Sequence, residues 1–120
     1  MNRNQRTAFS GIILALSNNA KVKSTYSYEL ASYVSLSGST GDRKVNVYDY
    51  SRSCHITGNS IDGKQYSLYD YGASGHISLT IDDKKARGYD YSSGHHFSAS
   101  VRGSSVSIYD FETCCYYSYS

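Results

Sequence analysis

The sequence predicts a mainly β protein. Its expected form is an up-and-down antiparallel meander of about ten strands, made of ~20-residue hairpin repeats and curled into a barrel or half-barrel around one N-terminal α-helix. Three observations predict it. A Tyr-Asp-aromatic phrase recurs at Tyr48-Asp49-Tyr50, Tyr69-Asp70-Tyr71, Tyr89-Asp90-Tyr91 and Tyr109-Asp110-Phe111, after a fainter copy at Tyr26-Ser27-Tyr28; the first residues lie 22, 21, 20 and 20 apart. Between these phrases polar and apolar residues alternate with the period of two that belongs to half-buried strands. Only one stretch, near the start, carries a helical period.

With 120 residues and 13.3 kDa the chain supports a single domain, 1–120, with one core. It contains 14 tyrosines, no tryptophan and no proline, and 12 basic against 10 acidic residues leave a net charge of +2. So balanced a charge gives no ground for a nucleic-acid or membrane-surface partner. The three cysteines, Cys54 and the adjacent Cys114 and Cys115, make neither a disulfide framework nor a zinc-type pair of C-x-x-C spacings, which favours a reduced, cytoplasmic chain. The competing expectation is secretion, with residues 1–17 acting as a signal peptide, because Arg3 and Arg6 precede the apolar run Ala8 to Leu16. No small-x-small cleavage pattern follows that run, so a retained helix is expected. The run is also too short for a membrane span.

Residues 5–19 form the helix. Phe9, Ile12, Ile13 and Leu16 fall at i, i+3, i+4 and i+7, one apolar stripe on an otherwise polar surface. Thr7 is the expected N-cap and Asn18-Asn19 the stop. Gly11 weakens the helix from within, so it needs a surface to lie against.

Residues 25–120 form the meander. In Gln65 to Ile81, Tyr66 to Tyr71 reads as a strand, Gly72 to Gly75 as a four-residue turn and His76 to Ile81 as the returning strand. Pairing Tyr71 with His76 sets Asp70 against Ile77, Tyr69 against Ser78 and Leu68 against Leu79. The same register places Tyr50 with His55, Tyr91 with His96, Phe111 with Tyr116 and Tyr28 with Tyr33. One face then carries Leu36, Val45, Val47, Ile56, Leu68, Leu79, Ile81, Phe97, Val101, Val106 and Ile108, while the other is tyrosine, histidine, serine and threonine. A flat sheet of ten strands, nearly 50 Å wide at ~4.8 Å per strand, leaves most of its apolar face wet beside a helix only ~10 Å across. Curling around the helix solves this, with Gly58, Gly88 and Ala99 as small inner residues that admit the helix closely. The alternative is an open sheet with the helix on one face, whose uncovered part forms a homodimer.

Enzyme chemistry finds little support: G-x-S-x-G, H-E-x-x-H and phosphate-cradling glycine loops are all absent. Cys54 adjoins His55, but adjacent strand residues point to opposite faces. Asp49, Asp70, Asp90 and Asp110 are expected inward at one rim. Neighbours two strands apart sit ~9.6 Å away, too far to share a cation, so turn-closing carboxylates are the expectation. His55, His76 and His96 occupy one repeat position filled by tyrosine elsewhere, which suits ring packing and assigns no metal or cofactor; a transition-metal protein using these histidines is an alternative.

What remains is the aromatic face: Tyr48, Tyr50, His55, Tyr69, Tyr71, His76, Tyr89, Tyr91, His96 and Tyr109. A non-enzymatic binding or assembly module, offering that face to a protein or glycan partner, is the functional expectation. A small-ligand carrier with the helix closing the barrel is a further alternative. The period and the Tyr-Asp dipeptides resemble the YD repeats of Rhs-type shells, which run Y-x-Y-D-x-x-G-R. Here Gly75 follows Asp70 by five residues, and such shells contain many more repeats, so no function is carried over.

Overall fold

The computed structural model describes all 120 residues. Helix α1 spans Arg3–Asn18, followed by β1 (Thr25–Ser27), β2 (Ser32–Val34), β3 (Leu36–Ser39), β4 (Lys44–Asp49), β5 (Cys54–Ser60) and β6 (Gln65–Asp70). The chain continues through β7 (Gly75–Asp82), β8 (Lys85–Asp90), β9 (His95–Arg102), β10 (Ser105–Asp110) and β11 (Cys115–Tyr119). All strands are antiparallel neighbours in one nearly closed, barrel-like sheet of order β2-β1-β11-β10-β9-β8-β7-β6-β5-β4-β3. The meander around a helix is therefore the observed architecture, not the open sheet.

Eleven strands replace the expected ten because one strand breaks. The run from Ser32 to Ser39 pairs with β1 through its first half and with β4 through its second, and the two halves meet at Ser35. Ser35 keeps its place in the wall by accepting the Tyr50 amide at 3.1 Å. First and last strands meet as expected: Ser27 pairs with Tyr119, and Tyr26 and Ser120 exchange backbone hydrogen bonds at 2.7 and 3.0 Å.

Every aliphatic and aromatic residue assigned to the inner face, from Leu36 to Ile108, is buried. The helix is enclosed more fully than one stripe implies. All residues from Gln5 to Ala15 are buried, because the wall surrounds α1 instead of touching one side. The polar residues Gln5, Arg6, Thr7 and Ser10 thus lie inside the barrel, and Leu16 is only partly covered. Thr7 is not the cap: Asn2 holds that position and accepts the Gln5 amide at 2.7 Å, while the Thr7 hydroxyl donates back to the Arg3 carbonyl. Asn19 closes the other end in the left-handed region at φ 52°.

The hairpin register differs from the expected one by two residues. Asp70 pairs with Gly75 and Tyr69 with His76, so Tyr71 begins the loop. An even slip preserves the faces, which is why the core assignment survives it. Its cause is the aspartate, whose carboxylate gathers loop amides and shuts the hairpin at Asp70. In all five such loops the fourth residue is left-handed: Ala31, Ser53, Ser74, Gly94 and Cys114. The small inner residues also act otherwise than expected. A Cβ on Gly58 would meet Leu68 and the Ser67 carbonyl, and one on Gly88 would meet Phe97 and the Ser78 carbonyl, so they make room for wall residues. It is Gly11, facing Leu36 and Thr25, that brings helix and wall together.

Candidate functional site

Three arrangements stand out, one lining the inner rim and two on the outer surface. At the rim where the hairpin loops lie, Asp49, Asp70, Asp90 and Asp110 are all buried. Each Oδ1 accepts the amide two residues ahead, from Ser51, Gly72, Ser92 and Glu112 respectively, at 2.9–3.0 Å. In the faint first repeat the Ser27 hydroxyl substitutes, accepting the Leu30 amide. The second oxygens point to other partners. Arg52 donates from Nε to Asp49 and from Nη1 to Asp70, and Gln5 Nε2 reaches Asp70 at 3.0 Å. Arg6 Nη1 and the Met1 amine reach Asp110, while Asp90 Oδ2 has no partner.

Burial opposes the charge on Arg6, but its hydrogen bonds to Glu29 and Asp110 outweigh this and raise its pKa. Arg52 is raised in the same way, burial being overcome by Asp49 and Asp70. Burial pushes the Cys54 thiol up, and its neighbour is the Asp70 carboxylate, 4.0 Å from Sγ, which opposes a thiolate further, so it lacks the setting of a nucleophile. Burial also lifts the Tyr119 phenol to about 12; Arg6 opposes this through its charge rather than through a well-formed hydrogen bond, for the Tyr119 hydroxyl is unpartnered. No three His, Cys, Asp or Glu side chains converge as a metal would require.

The outer surface at the same end carries five repeated aromatic triads. In each, a half-buried tyrosine is met edge-on by two exposed rings, one from its own strand's end and one from across the hairpin. Tyr69 meets Tyr71 and His76, both at 4.8 Å between centroids. Tyr48 meets Tyr50 and His55, Tyr89 meets Tyr91 and His96, Tyr109 meets Phe111 and Tyr116, and Tyr26 meets Tyr28 and Tyr33. Nine of the ten residues expected on an aromatic face are thus brought together three by three, and the tenth, Tyr109, joins Phe111 and Tyr116. Their outermost rings stay open, Tyr50, Tyr71 and Tyr91 at 56%, 59% and 62%.

Below the triads the outer face sinks into a groove of about 520 Å³ that crosses β6 to β11. One transverse row of paired residues crosses it: Gln65, Thr80, Arg87, Ser98, Tyr109 and Tyr116. Ser98 is short between two long neighbours, and the next row, from Lys85 through Ser100 and Ser107, is short again. An adjoining hollow of about 360 Å³ shares Ser100 and Ser107 and ends at Arg102. The sequence reading missed this groove, although a signal was present. The position two before each phrase tyrosine is Asn46, Ser67 and Ser107 in the other strong repeats, and only at Arg87 is it large and charged.

No family model matches the chain, and no curated protein or solved structure matches it either. No helix is long and apolar enough to cross a membrane.

Proposed function

We propose that the chain is a non-enzymatic binding module whose outer face takes a glycan. The observation that carries this reading is the five-fold aromatic triad. Half-buried tyrosines hold the exposed rings at fixed tilts, so a ligand meets flat apolar surfaces whose freedom has already been lost. Each triad is built from uncharged rings or imidazoles, and serine and threonine hydroxyls lie on the same face beside them, a combination that suits the C–H faces and hydroxyl edges of sugars. The barrel interior supports the same reading by elimination. Phe9, Ile12 and Ile13 fill it, so a carrier's cavity beneath the helix finds no room, and the large hollows are lined mainly by outward-facing residues.

A glycan array probed with the wild-type chain and with the triple variant Tyr50→Ser, Tyr71→Ser, Tyr91→Ser tests the reading. Binding of at least one saccharide class is expected, weakened by about tenfold or more in the variant, ~1.4 kcal/mol or above. Circular dichroism checks that the exposed positions have not disturbed the fold. Saccharide binding unchanged by the three substitutions would move the site off the triads. Binding of a protein partner with no glycan signal would make the face a protein interface instead.

A further inference from the structure

We propose that the groove between Arg87 and Tyr109 is a subsite for a carboxylated sugar, with Arg87 as the carboxylate's partner; this rests on the glycan reading and adds the ligand's charge class. The hollow lies within the ~300–1,000 Å³ range of small-ligand sites and is lined by groups the fold leaves uncommitted. The six ion pairs of the chain use only Met1, Arg6 and Arg52 as cations, so Arg87 is paired with no carboxylate. The Ser98, Ser100 and Ser107 hydroxyls likewise donate to no protein acceptor. Asp62 stands at the groove's edge but its carboxylate is engaged, accepting the Lys64 and Gln65 amides at 2.8 and 2.9 Å, which together hold its pKa down at about 2. Asp82, at the β7–β8 turn on the same rim, is the strand partner of Lys85.

The chemistry selects the ligand. A guanidinium presents a planar fork that matches a carboxylate with two parallel hydrogen bonds. The hydroxyls beside it both donate and accept, as a polyhydroxyl body demands. Tyr109 and Tyr116 wall the far side with ring surface. A polyphosphate or nucleic-acid backbone needs a run of cations along its length, whereas the lysines of this groove, Lys64 and Lys85, stand with Asp62 and Asp82, and Arg87 alone lies in the row of hydroxyls and rings. The departure of Arg87 from the small polar residue of its repeat position agrees with this: the hairpin folds with serine at Ser67 and Ser107, so the fold does not require arginine there.

Calorimetric titration with sialyllactose against lactose, and with digalacturonate against cellobiose, tests the subsite in the full chain. At least one acidic saccharide is expected to bind about tenfold tighter than its neutral partner. Arg87→Ser, which restores the residue of the neighbouring repeats, is expected to abolish that preference while leaving neutral-sugar binding in place. Lys44→Ser, which removes the same charge outside the groove, is expected to keep it. An acid preference that survives Arg87→Ser overturns the inference, as does equal competition by inorganic phosphate. Neutral binding without any acid preference overturns the subsite but leaves the binding-module reading standing. The absence of all saccharide binding overturns both.

Discussion

Arg6 Nη1 donates to Asp110 Oδ2 across 2.9 Å, and both side chains are sealed from solvent inside the barrel. The same guanidinium lies 3.8 Å from the Tyr117 ring centroid and donates from Nη2 to Glu29 at 3.1 Å. A helix that enters a barrel with a charge on it needs those partners in place. Removing one member of a buried pair costs ~3–5 kcal/mol, because the other is left unpaired. Arg6→Met is therefore expected to lower stability in urea unfolding by that amount. Adding Asp110→Asn should recover part of the loss, giving a double-mutant cycle with coupling above ~1 kcal/mol; strictly additive losses would show that the pair is not coupled.

The four rim aspartates are alike in sequence and unlike in surroundings. Asp70 accepts from Gln5, Arg52 and two loop amides, while Asp90 Oδ2 is buried without a partner. Asparagine keeps the Oδ1 contact with the loop in both cases. Asp90→Asn is expected to be neutral or stabilising, since it replaces the oxygen that lacks a donor. Asp70→Asn is expected to cost ~2 kcal/mol or more, since Arg52 and Gln5 lose a charged acceptor. Thermal unfolding of the two variants side by side reads the difference, and equal losses would contradict the asymmetry.

Tyr119 gives the chain an alkaline weakness. Its phenol ionises near 10 when exposed in the unfolded chain and at about 12 when buried in the barrel. The folded state thus holds the proton more tightly. That contribution to stability is fully present below pH 10 and disappears as the pH rises through 12. Tyr119→Phe removes it, and because the hydroxyl has no partner the variant is expected to be near wild-type stability at pH 7. Between pH 9 and pH 12 the wild type should lose on the order of 2 kcal/mol more than the variant. Parallel loss in both proteins would place the alkaline transition elsewhere.

Much of the wall was legible because its signals are local. Alternation marked the faces, the phrase marked the hairpin ends, and an even register slip moved pairs without exchanging inside and outside. The rim network was not legible, for its partners are far apart in sequence: Gln5 and Asp70, Arg6 and Asp110. A period of 3.6 read Gln5, Arg6, Thr7 and Ser10 as a wet face, whereas the barrel surrounds them, aspartates answer Gln5 and Arg6, and the helix's own carbonyls answer Thr7 and Ser10. The triads were not legible because Tyr71 and its counterparts were counted as strand residues, whereas they begin the loops. The groove escaped because the repeat drew attention to what is shared, and Arg87 is informative through what it does not share.

The strand broken at Ser35 has a consequence for how the molecule assembles. Each hairpin loop of four residues can zip on its own within microseconds, so most of the wall is assembled from neighbours in the chain. Among the strand pairings of the wall, only the meeting of β1 with β11, Ser27 against Tyr119, must draw together residues more than ninety positions apart. That long-range step is taken once, and its entropy grows only with the logarithm of the intervening length. When it is complete, both borders of the sheet lie on the single run from Ser32 to Ser39, each already paired on one side. The borders that invite strand addition and amyloid-like growth in open sheets are thereby reduced to one short, bent segment.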